Sequence, residues 1–168
     1  MNAIEAMLTR RSIRKYTTEA VSNEALDQLL KAAMSAPTAA GQPWHFIVVR
    51  DRNTLGAIPG FHPHAQMLKE AQVGIVVCGD TTPAPLSDRW PLDCSAATEN
   101  ILIAANVIGL GAVWVGIYPV EERIQGLRKL LGIPGHVVPL CVVSLGHPAE
   151  KKGPPNRFRT DRIHNDHW

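Results

Sequence analysis

The apolar residues between Ser22 and Met34 recur with the period of an α-helix. Their spacing of three and four residues places them on one helix face, which would pack on a core. Ser22 is a residue type that caps helix N-termini, so the helix is predicted to begin just after it. The stripe consists of Leu26, Leu29, Leu30 and Ala33. A shorter helix is predicted over residues 2–10.

Four apolar runs rich in β-branched residues are typical of strands. The run at residues 73–80 is apolar on both faces, which predicts a central position in a sheet. The other three runs cover residues 45–50, 112–118 and 137–146. Residues 35–44, which combine small side chains with two prolines, are predicted to be irregular.

Two further helices are predicted between these strands. Asp93 is expected to cap a long helix that ends at Ile108 and is apolar nearly all round, so the helix should be buried, with a subunit interface as one possible setting. The other helix follows Pro119 and ends at Gly132. A helical fragment at residues 64–71 and a proline-rich loop at residues 81–91 complete a mixed α/β layer pattern.

Composition excludes few functions. The 168 residues fit one domain, and 45% hydrophobic with 19% charged residues is ordinary for a globular protein. With 17 basic and 15 acidic residues, no overall field favours nucleic acid or a membrane surface. We expect no secretory signal, and no apolar run reaches the ~18 residues of a membrane span.

Three cysteines, an odd number, stand far apart in apolar surroundings: Cys78, Cys94 and Cys141. This pattern predicts buried, reduced thiols and a cytoplasmic location. A nucleophilic role for Cys94, which lies beside Asp93 and Ser95, is the alternative.

Much of the positive charge is concentrated in residues 10–16, RRSIRKY, which hold four cations around Ser12. In an extended segment, Arg10, Ser12 and Arg14 would lie on one side. Two guanidinium groups flanking a hydroxyl suit a phosphate dianion, because arginine forms bidentate, charge-assisted hydrogen bonds. In a helix, Arg10 and Arg14 would instead repel by a few tenths of a kcal/mol, which a solvated surface tolerates. Local spacing leaves both interpretations open.

Other motifs favour structural roles. Residues 109–116, GLGAVWVG, lie between a helix and a strand, whereas a dinucleotide fingerprint follows a strand and opens a helix. His62 and His64 lack a carboxylate or thiol at ligand spacing, so structural or surface histidines are favoured over a metal site. No nucleophile elbow is present. Anion-binding chemistry without an evident acid, base or nucleophile is typical of proteins whose cofactor carries the reactivity.

Five segments in order resemble the FMN-dependent nitroreductase family. They are residues 10–16, 36–49, 93–105, 109–116 and 156–168. The resemblance implies a single α+β domain over residues 1–168, with a central, mostly antiparallel sheet flanked by helices. It also implies an intertwined homodimer with FMN sites at the interface, and a C-terminal tail, residues 149–168, that extends over the partner.

The same resemblance implies the site residues. Arg10, Ser12 and Arg14 would hold the FMN phosphate and the pyrimidine side of the ring, with Arg11 adjacent. Arg157 would return to the phosphate, with Arg159 able to assist. Ser35, Pro37 and Thr38 would line the flavin, partly across the interface, and a backbone N–H of the segment Trp114, Val115 and Gly116 would reach flavin N5. The loop at residues 39–42 is shorter than is usual in the family, so Gln42 is expected to supply the polar contact to the pyrimidine edge alone.

The implied activity is NAD(P)H-dependent reduction of nitroaromatics, quinones or similar electron-poor acceptors by ping-pong hydride transfer. FMN would carry the chemistry, NADH or NADPH would be the donor, and no catalytic side chain or metal is expected. No nucleic-acid or membrane partner is expected either. The alternative is a flavin-binding redox sensor or sequestering module without significant turnover.

Overall fold

A computed structural model of the chain describes residues 1–39, 41–82 and 88–168. In this part of the chain the helices are α1 (Ala3–Thr9), α2 (Asn23–Met34), α3 (Arg52–Ala57), α4 (Trp90–Val107) and α5 (Glu121–Leu131). The strands are β1 (Trp44–Val49), β2 (Val73–Asp80), β3 (Gly111–Gly116) and β4 (Val137–Gly146). Short 3-10 turns cover Ile58–Gly60, Gln66–Lys69 and Thr160–Arg162.

The four strands form one antiparallel sheet in the order β1-β2-β4-β3. The predicted central position of β2 is confirmed, since its side chains are buried on both faces. Val73, Ile75 and Val77 face the core formed with α2 and α4. Val76 and Cys78 face a second core formed with α3 and α5. The expected α+β architecture, an antiparallel sheet flanked by helices, is confirmed.

The predicted ends of α2 and α5 agree with the structure. Ser22 Oγ accepts a hydrogen bond from the Ala25 N–H at 3.1 Å, which caps α2. Gly132 ends α5 with φ of 67°, a left-handed conformation that glycine adopts without strain. In the α2 stripe Leu26, Leu29 and Ala33 are buried, and Leu30 packs against them half-buried.

The predicted start of the long helix is wrong. Helix α4 begins at Trp90, and Asp93 lies inside its first turn rather than at the cap. Pro91 is tolerated there because the first turn of a helix needs no N–H donor at that position. The Asp93 carboxylate instead accepts a hydrogen bond from the Thr38 hydroxyl at 2.6 Å. The predicted loop at residues 81–91 therefore extends two residues too far, into the first turn of α4. Residues 83–87 of this loop lie outside the described residues.

The sequence pattern also missed the helical segment after β1. Asp51 caps α3 by accepting a hydrogen bond from the Thr54 N–H at 2.7 Å, and the turn at Ile58–Gly60 continues it. The predicted fragment at residues 64–71 reduces to the 3-10 turn Gln66–Lys69. Both segments are short, so neither presents a full helical period in the sequence.

The three cysteines are buried and free, as predicted. Burial raises the pKa of each thiol to about 12. A thiol with that pKa stays protonated at neutral pH, and the thiolate is the nucleophilic form. Burial therefore favours a structural role for Cys94 over the nucleophilic alternative.

Candidate functional site: a cationic cleft at the edge of the sheet

Residues 11–16, which we call the strap, run extended along the outer edge of β3. Ser12 forms a parallel bridge with Ala112, and the Ile13 N–H donates to the Ala112 carbonyl at 3.0 Å. Helix α1 ends at Thr9, so the helical alternative for this segment is wrong. Ile13 packs directly on Gly111, where an added Cβ would lie 2.6 Å from Ile13 Cγ2.

Residues 148–153, which we call the clasp, hold the strap from its other side. Lys152 Nζ donates to the Ser12 carbonyl at 2.7 Å and lies 3.1 Å from Glu150 Oε1. Glu150 accepts a hydrogen bond from the Arg14 N–H at 2.6 Å, and this bond holds the pKa of the Glu150 carboxyl below its usual 4.5. Further bonds join the Ala149 N–H to the Lys15 carbonyl and the Arg11 guanidinium to the Gly153 carbonyl. The first residues after β4 therefore fix the backbone of the strap.

A cleft of about 510 Å³ opens beside the last residues of β3, and we call it the edge cleft. It is lined by Arg14, His62, His64, Gln66, Met67, Arg123 and residues 113–116. Two guanidinium groups and two imidazoles face it, and no carboxylate is among these lining residues. The cleft is therefore suited to an electron-rich or anionic ligand.

The alternation of β3 decides which backbone groups point towards this cleft. In an antiparallel strand, successive residues direct their N–H and C=O groups to opposite sides. The Ala112 carbonyl accepts a hydrogen bond from the strap, and the Gly116 carbonyl accepts one from His62. The backbone N–H and C=O groups of the even-numbered residues of β3 therefore point away from β4. Val115 is paired with Val142 of β4. The N–H of Gly116 consequently points outward, at the wall of the edge cleft.

His62 is the most buried polar side chain of the cleft, with 3% of its surface exposed. Its Nε2 lies 2.7 Å from the Gly116 carbonyl oxygen, and its Nδ1 accepts from the His64 N–H at 3.3 Å. These partners assign the proton of the neutral ring to Nε2. Burial lowers the pKa of His62 below the usual 6.5, and the positive charge of Arg123 acts in the same direction. His62 is therefore neutral at pH 7 and has a structural contact, as favoured from the sequence.

This pKa shift predicts a pH-dependent stability. Because folding disfavours the charged ring, the stability that neutral His62 contributes is present above about pH 6.5 and is lost as the pH falls through the lower folded pKa. Urea unfolding between pH 7.5 and 5 should therefore show a steeper loss of unfolding free energy in the wild type than in His62→Gln. His136→Gln, at an exposed position, should keep the wild-type slope. Parallel curves for the wild type and His62→Gln would contradict the assignment.

A second cavity, of about 330 Å³, lies at the other end of the strap, and we call it the basic cavity. Its lining includes four cations, Arg10, Arg11, Lys151 and Lys152, and one carboxylate, Glu150, which pairs with Lys152. Arg10 Nε lies 3.4 Å from Glu99 Oε1, so part of its guanidinium is engaged by a half-exposed carboxylate. The structure thus places Arg10 and Arg11 in one cavity and Arg14 in the other, joined by the extended strap.

The remaining predicted residues lie elsewhere in the protomer. Ser35, Pro37, Thr38 and Gln42 belong to the loop between α2 and β1. Thr38 binds Asp93 of α4, and the Gln42 N–H donates to Thr38 Oγ1 at 3.2 Å. Gln42 adopts φ of 63°, in the left-handed region. Arg157 lies in the exposed tail. Neither the edge cleft nor the basic cavity includes any of these residues. Pro37 and Thr38 instead line a separate, open pocket with Leu92 and Asp93 of α4.

Sequence reasoning missed four residues of the edge cleft: His62, His64, Gln66 and Arg123. For the pair His62 and His64 the sequence favours structural or surface roles over a metal site, and neither role indicates a cleft beside β3. The described residues contain no group of three or more potential metal-ligating side chains. Gln66 is the side-chain amide among the residues that line this cleft of the single protomer. The signal in the sequence for these residues was the pair of histidines flanking Pro63. It was not sufficient, because no local pattern connects the histidines to β3.

The fold and the site define an α+β protein with a cationic cleft at the edge of an antiparallel sheet, where an extended N-terminal strap runs along the edge strand. The chain belongs to the Nitroreductase family, whose profile matches residues 7–59 and 61–147. The recognition made from the five segments is thereby confirmed.

Individual relatives cover nearly the whole chain. A protein of Methanothermobacter thermautotrophicus named "Putative NADH dehydrogenase/NAD(P)H nitroreductase" is 50% identical over 100% of this chain and 88% of its own length. An FMN-dependent nitroreductase from Clostridium difficile R20291 superposes with a TM-score of 0.92 at 30% identity, covering 98% of this chain and 99% of its own. A nitroreductase-type structure from Desulfovibrio desulfuricans, solved in complex with FMN, has a TM-score of 0.85 at 29% identity, covering 100% and 98%.

Among the described residues, none of the helices combines the length and the apolar character that a bilayer crossing needs.

Proposed function

We propose that this protein is an FMN-dependent oxidoreductase that uses NADH or NADPH to reduce nitroaromatics, quinones or similar electron-poor acceptors. The relatives support the cofactor and the donor, since their names specify FMN and NAD(P)H. The observation that carries the proposal in this chain is the placement of two arginines along one extended segment. Arg10, just before the strap, lines the basic cavity, and Arg14, within the strap, lines the edge cleft.

The residues present fit FMN. Its phosphate is a dianion and its ring is flat, with hydrogen-bond acceptors along one edge. Four residues of extended chain span about 13 Å, so a phosphate at the basic cavity and a ring at the edge cleft can lie along the strap. Arg10 supplies charge-assisted bonds to the phosphate, with Arg11 beside it and the Ser12 hydroxyl between the arginines. Arg14 supplies positive charge at the pyrimidine side of the ring.

The edge of β3 provides the contact to the reacting side of the ring. Within the segment Trp114, Val115 and Gly116, we assign the contact with flavin N5 to the outward N–H of Gly116. FMN, when bound, supplies the hydride chemistry itself. The side chains bind and orient it, and protons come from solvent, so no catalytic residue is assigned.

We propose a homodimer in which the partner completes each site. The loop with Ser35, Pro37, Thr38 and Gln42 lies away from the edge cleft and the basic cavity of its own protomer, which suits a contribution across the interface. Apolar side chains are exposed on the helices that would meet a second copy: Ile4 and Leu8 of α1 are each 65% exposed, and Leu92 of α4 is 70% exposed. Exposed apolar surface of this kind is typical of interfaces.

The tail, residues 149–168, supports the same arrangement. Beyond the clasp it is exposed, and Phe158, Ile163 and Trp168 present apolar surface. The protomer exposes 9451 Å², whereas a compact monomer of this mass exposes about 8,100 Å². We propose that the tail covers the partner and brings Arg157, with Arg159 nearby, towards the phosphate. The three free cysteines favour a reducing compartment, which supports a cytoplasmic location.

The proposal is tested with purified protein reconstituted with FMN. The protein should be yellow, bleach under anaerobic NADH or NADPH, and regain colour when a nitroaromatic or quinone is added. Protein that is yellow but is not reduced by either nucleotide would favour the redox-sensor or sequestering alternative. Protein that stays colourless after reconstitution would refute both, and a panel of acceptors monitored by flavin reoxidation would define the substrate.

A further inference from the structure

We propose that His62 and Arg123 are positioning residues for the flavin, because together they hold the Gly116 peptide at the wall of the edge cleft. The inference rests on the proposed function, since the group they orient is the Gly116 N–H assigned to flavin N5. Neither residue is needed to hold the phosphate, and neither is assigned a step in the chemistry.

Two side chains from different parts of the fold converge on one carbonyl oxygen. His62 follows the turn Ile58–Gly60, and its Nε2 lies 2.7 Å from the Gly116 oxygen. Arg123 lies in the first turns of α5 and donates from Nη1 to the same oxygen at 3.1 Å. On the opposite side, the N–H of Ile117 donates to the Leu140 carbonyl at 3.0 Å. The peptide between Gly116 and Ile117 is therefore fixed from both sides of the strand end.

This fixation matters because residue 116 is a glycine at the end of an edge strand. Glycine has more backbone freedom than any other residue, so its N–H direction depends on what holds the peptides around it. The two donors on its carbonyl restrict ψ, and the pairing of Val115 restricts the preceding residue. With both in place, the Gly116 N–H keeps its outward direction.

The glycine itself indicates a ligand at this point. A Cβ at position 116 would meet nothing closer than Trp114 Nε1 at 3.9 Å, so packing within the protomer does not require glycine. At Gly111, by contrast, Ile13 occupies the space of a side chain. Glycine in a strand without such a packing reason often marks a close approach of a ligand to the backbone. A flat ring lying against Gly116 would use this space.

The electrostatics of the pair are compatible with this role. The neutral Nε2–H form of His62 donates to the carbonyl without placing a second charge beside Arg123. Arg123 retains further N–H groups that line the cleft after its bond to Gly116. The position of the Gly116 N–H is thus set by hydrogen bonds, while the positive charge near the ring comes from arginine.

The test measures flavin N5 directly. Full-length protein is reconstituted with ¹⁵N-labelled FMN, the N5 resonance is recorded, and the Kd for FMN is measured by fluorescence quenching. We expect His62→Leu and Arg123→Gln each to move the N5 resonance towards its value in free FMN and to weaken FMN binding about 5- to 30-fold. His62→Gln, whose amide can donate to the same carbonyl, should restore most of the wild-type shift. His136→Leu, at an exposed position outside the cleft, should change neither quantity.

The outcomes separate this inference from the proposed function. If His62→Leu and Arg123→Gln both remain folded by circular dichroism and keep the wild-type N5 resonance, the positioning role is overturned while FMN binding stands. If the wild-type protein binds no FMN, the proposed function fails and the inference fails with it. Arg123 lies half-buried at the surface, so its variant provides the measurement even where the buried His62→Leu change prevents folding.

Discussion

Deletion of residues 149–168 should remove FMN and abolish the dimer in the same variant. The deletion takes away the clasp residues Glu150 and Lys152, which hold the backbone of the strap at Arg14 and Ser12. It also takes away Arg157, the proposed phosphate ligand, and the exposed apolar residues proposed to cover the partner. We expect flavin-free protein that elutes as a monomer, measured by flavin absorbance and by light scattering after size exclusion.

A shorter deletion separates these contributions. Removal of residues 154–168 leaves the clasp intact, so the strap should keep its bonds to Glu150 and Lys152. We expect this variant to lose Arg157 and the tail's share of the dimer contact. Its strap region should nevertheless unfold at a higher temperature than the strap region of the longer deletion. A fully yellow dimer after removal of residues 149–168 would show that the tail has neither role.

The second large effect is expected for Arg10→Ala, which should raise the Kd for FMN roughly 10- to 150-fold, because a charge-assisted hydrogen bond contributes about 1.5–3 kcal/mol. Arg157→Ala should have an effect of similar size. Arg162→Ala, another exposed arginine of the tail, is the matched control and should bind FMN as the wild type does. The measurement is quenching of FMN fluorescence by the apoprotein at fixed ionic strength.

Riboflavin makes this prediction specific to the phosphate. It has the same ring and side chain as FMN without the phosphate, so Arg10→Ala should leave its affinity nearly unchanged. An equal loss for both ligands would indicate damage to the strap rather than a missing phosphate contact. Unchanged FMN affinity in both Arg10→Ala and Arg157→Ala would refute the phosphate assignment.

Elements with a full local signal were predicted well. Helix α2 has an apolar stripe over two turns together with a capping serine, and α5 ends at a glycine followed by a proline. Strands β2 and β4 are continuous apolar runs, and their predicted bounds agree with the structure. In each case the residues that specify the element lie within it or directly beside it in the chain.

Elements that depend on distant contacts were predicted poorly. The start of α4 is fixed by Trp90, which packs on Gly79 of β2. Asp93 instead accepts a hydrogen bond from Thr38, which lies 55 residues earlier in the chain. A capping residue type was present at position 93, but the local pattern does not distinguish a cap from a carboxylate that binds another segment. The irregular loop after α2 was recognised from its prolines, although its contact with α4 was not.

The sequence by itself determined the order of the four strands and of helices α1, α2, α4 and α5, the burial of the cysteines and, through five segments in order, the family. These follow from local periodicity, from residue types at element ends and from apolar surroundings. Only the tertiary structure decided the geometry of the site: the strap on the edge of β3, the clasp that holds it, and the convergence of His62 and Arg123 on Gly116. His62 lies 54 residues from Gly116 in the chain. Such contacts arise when sheet edges and loops pack together. The spacing of hydrophobic residues in the sequence does not indicate which distant residue a side chain will contact.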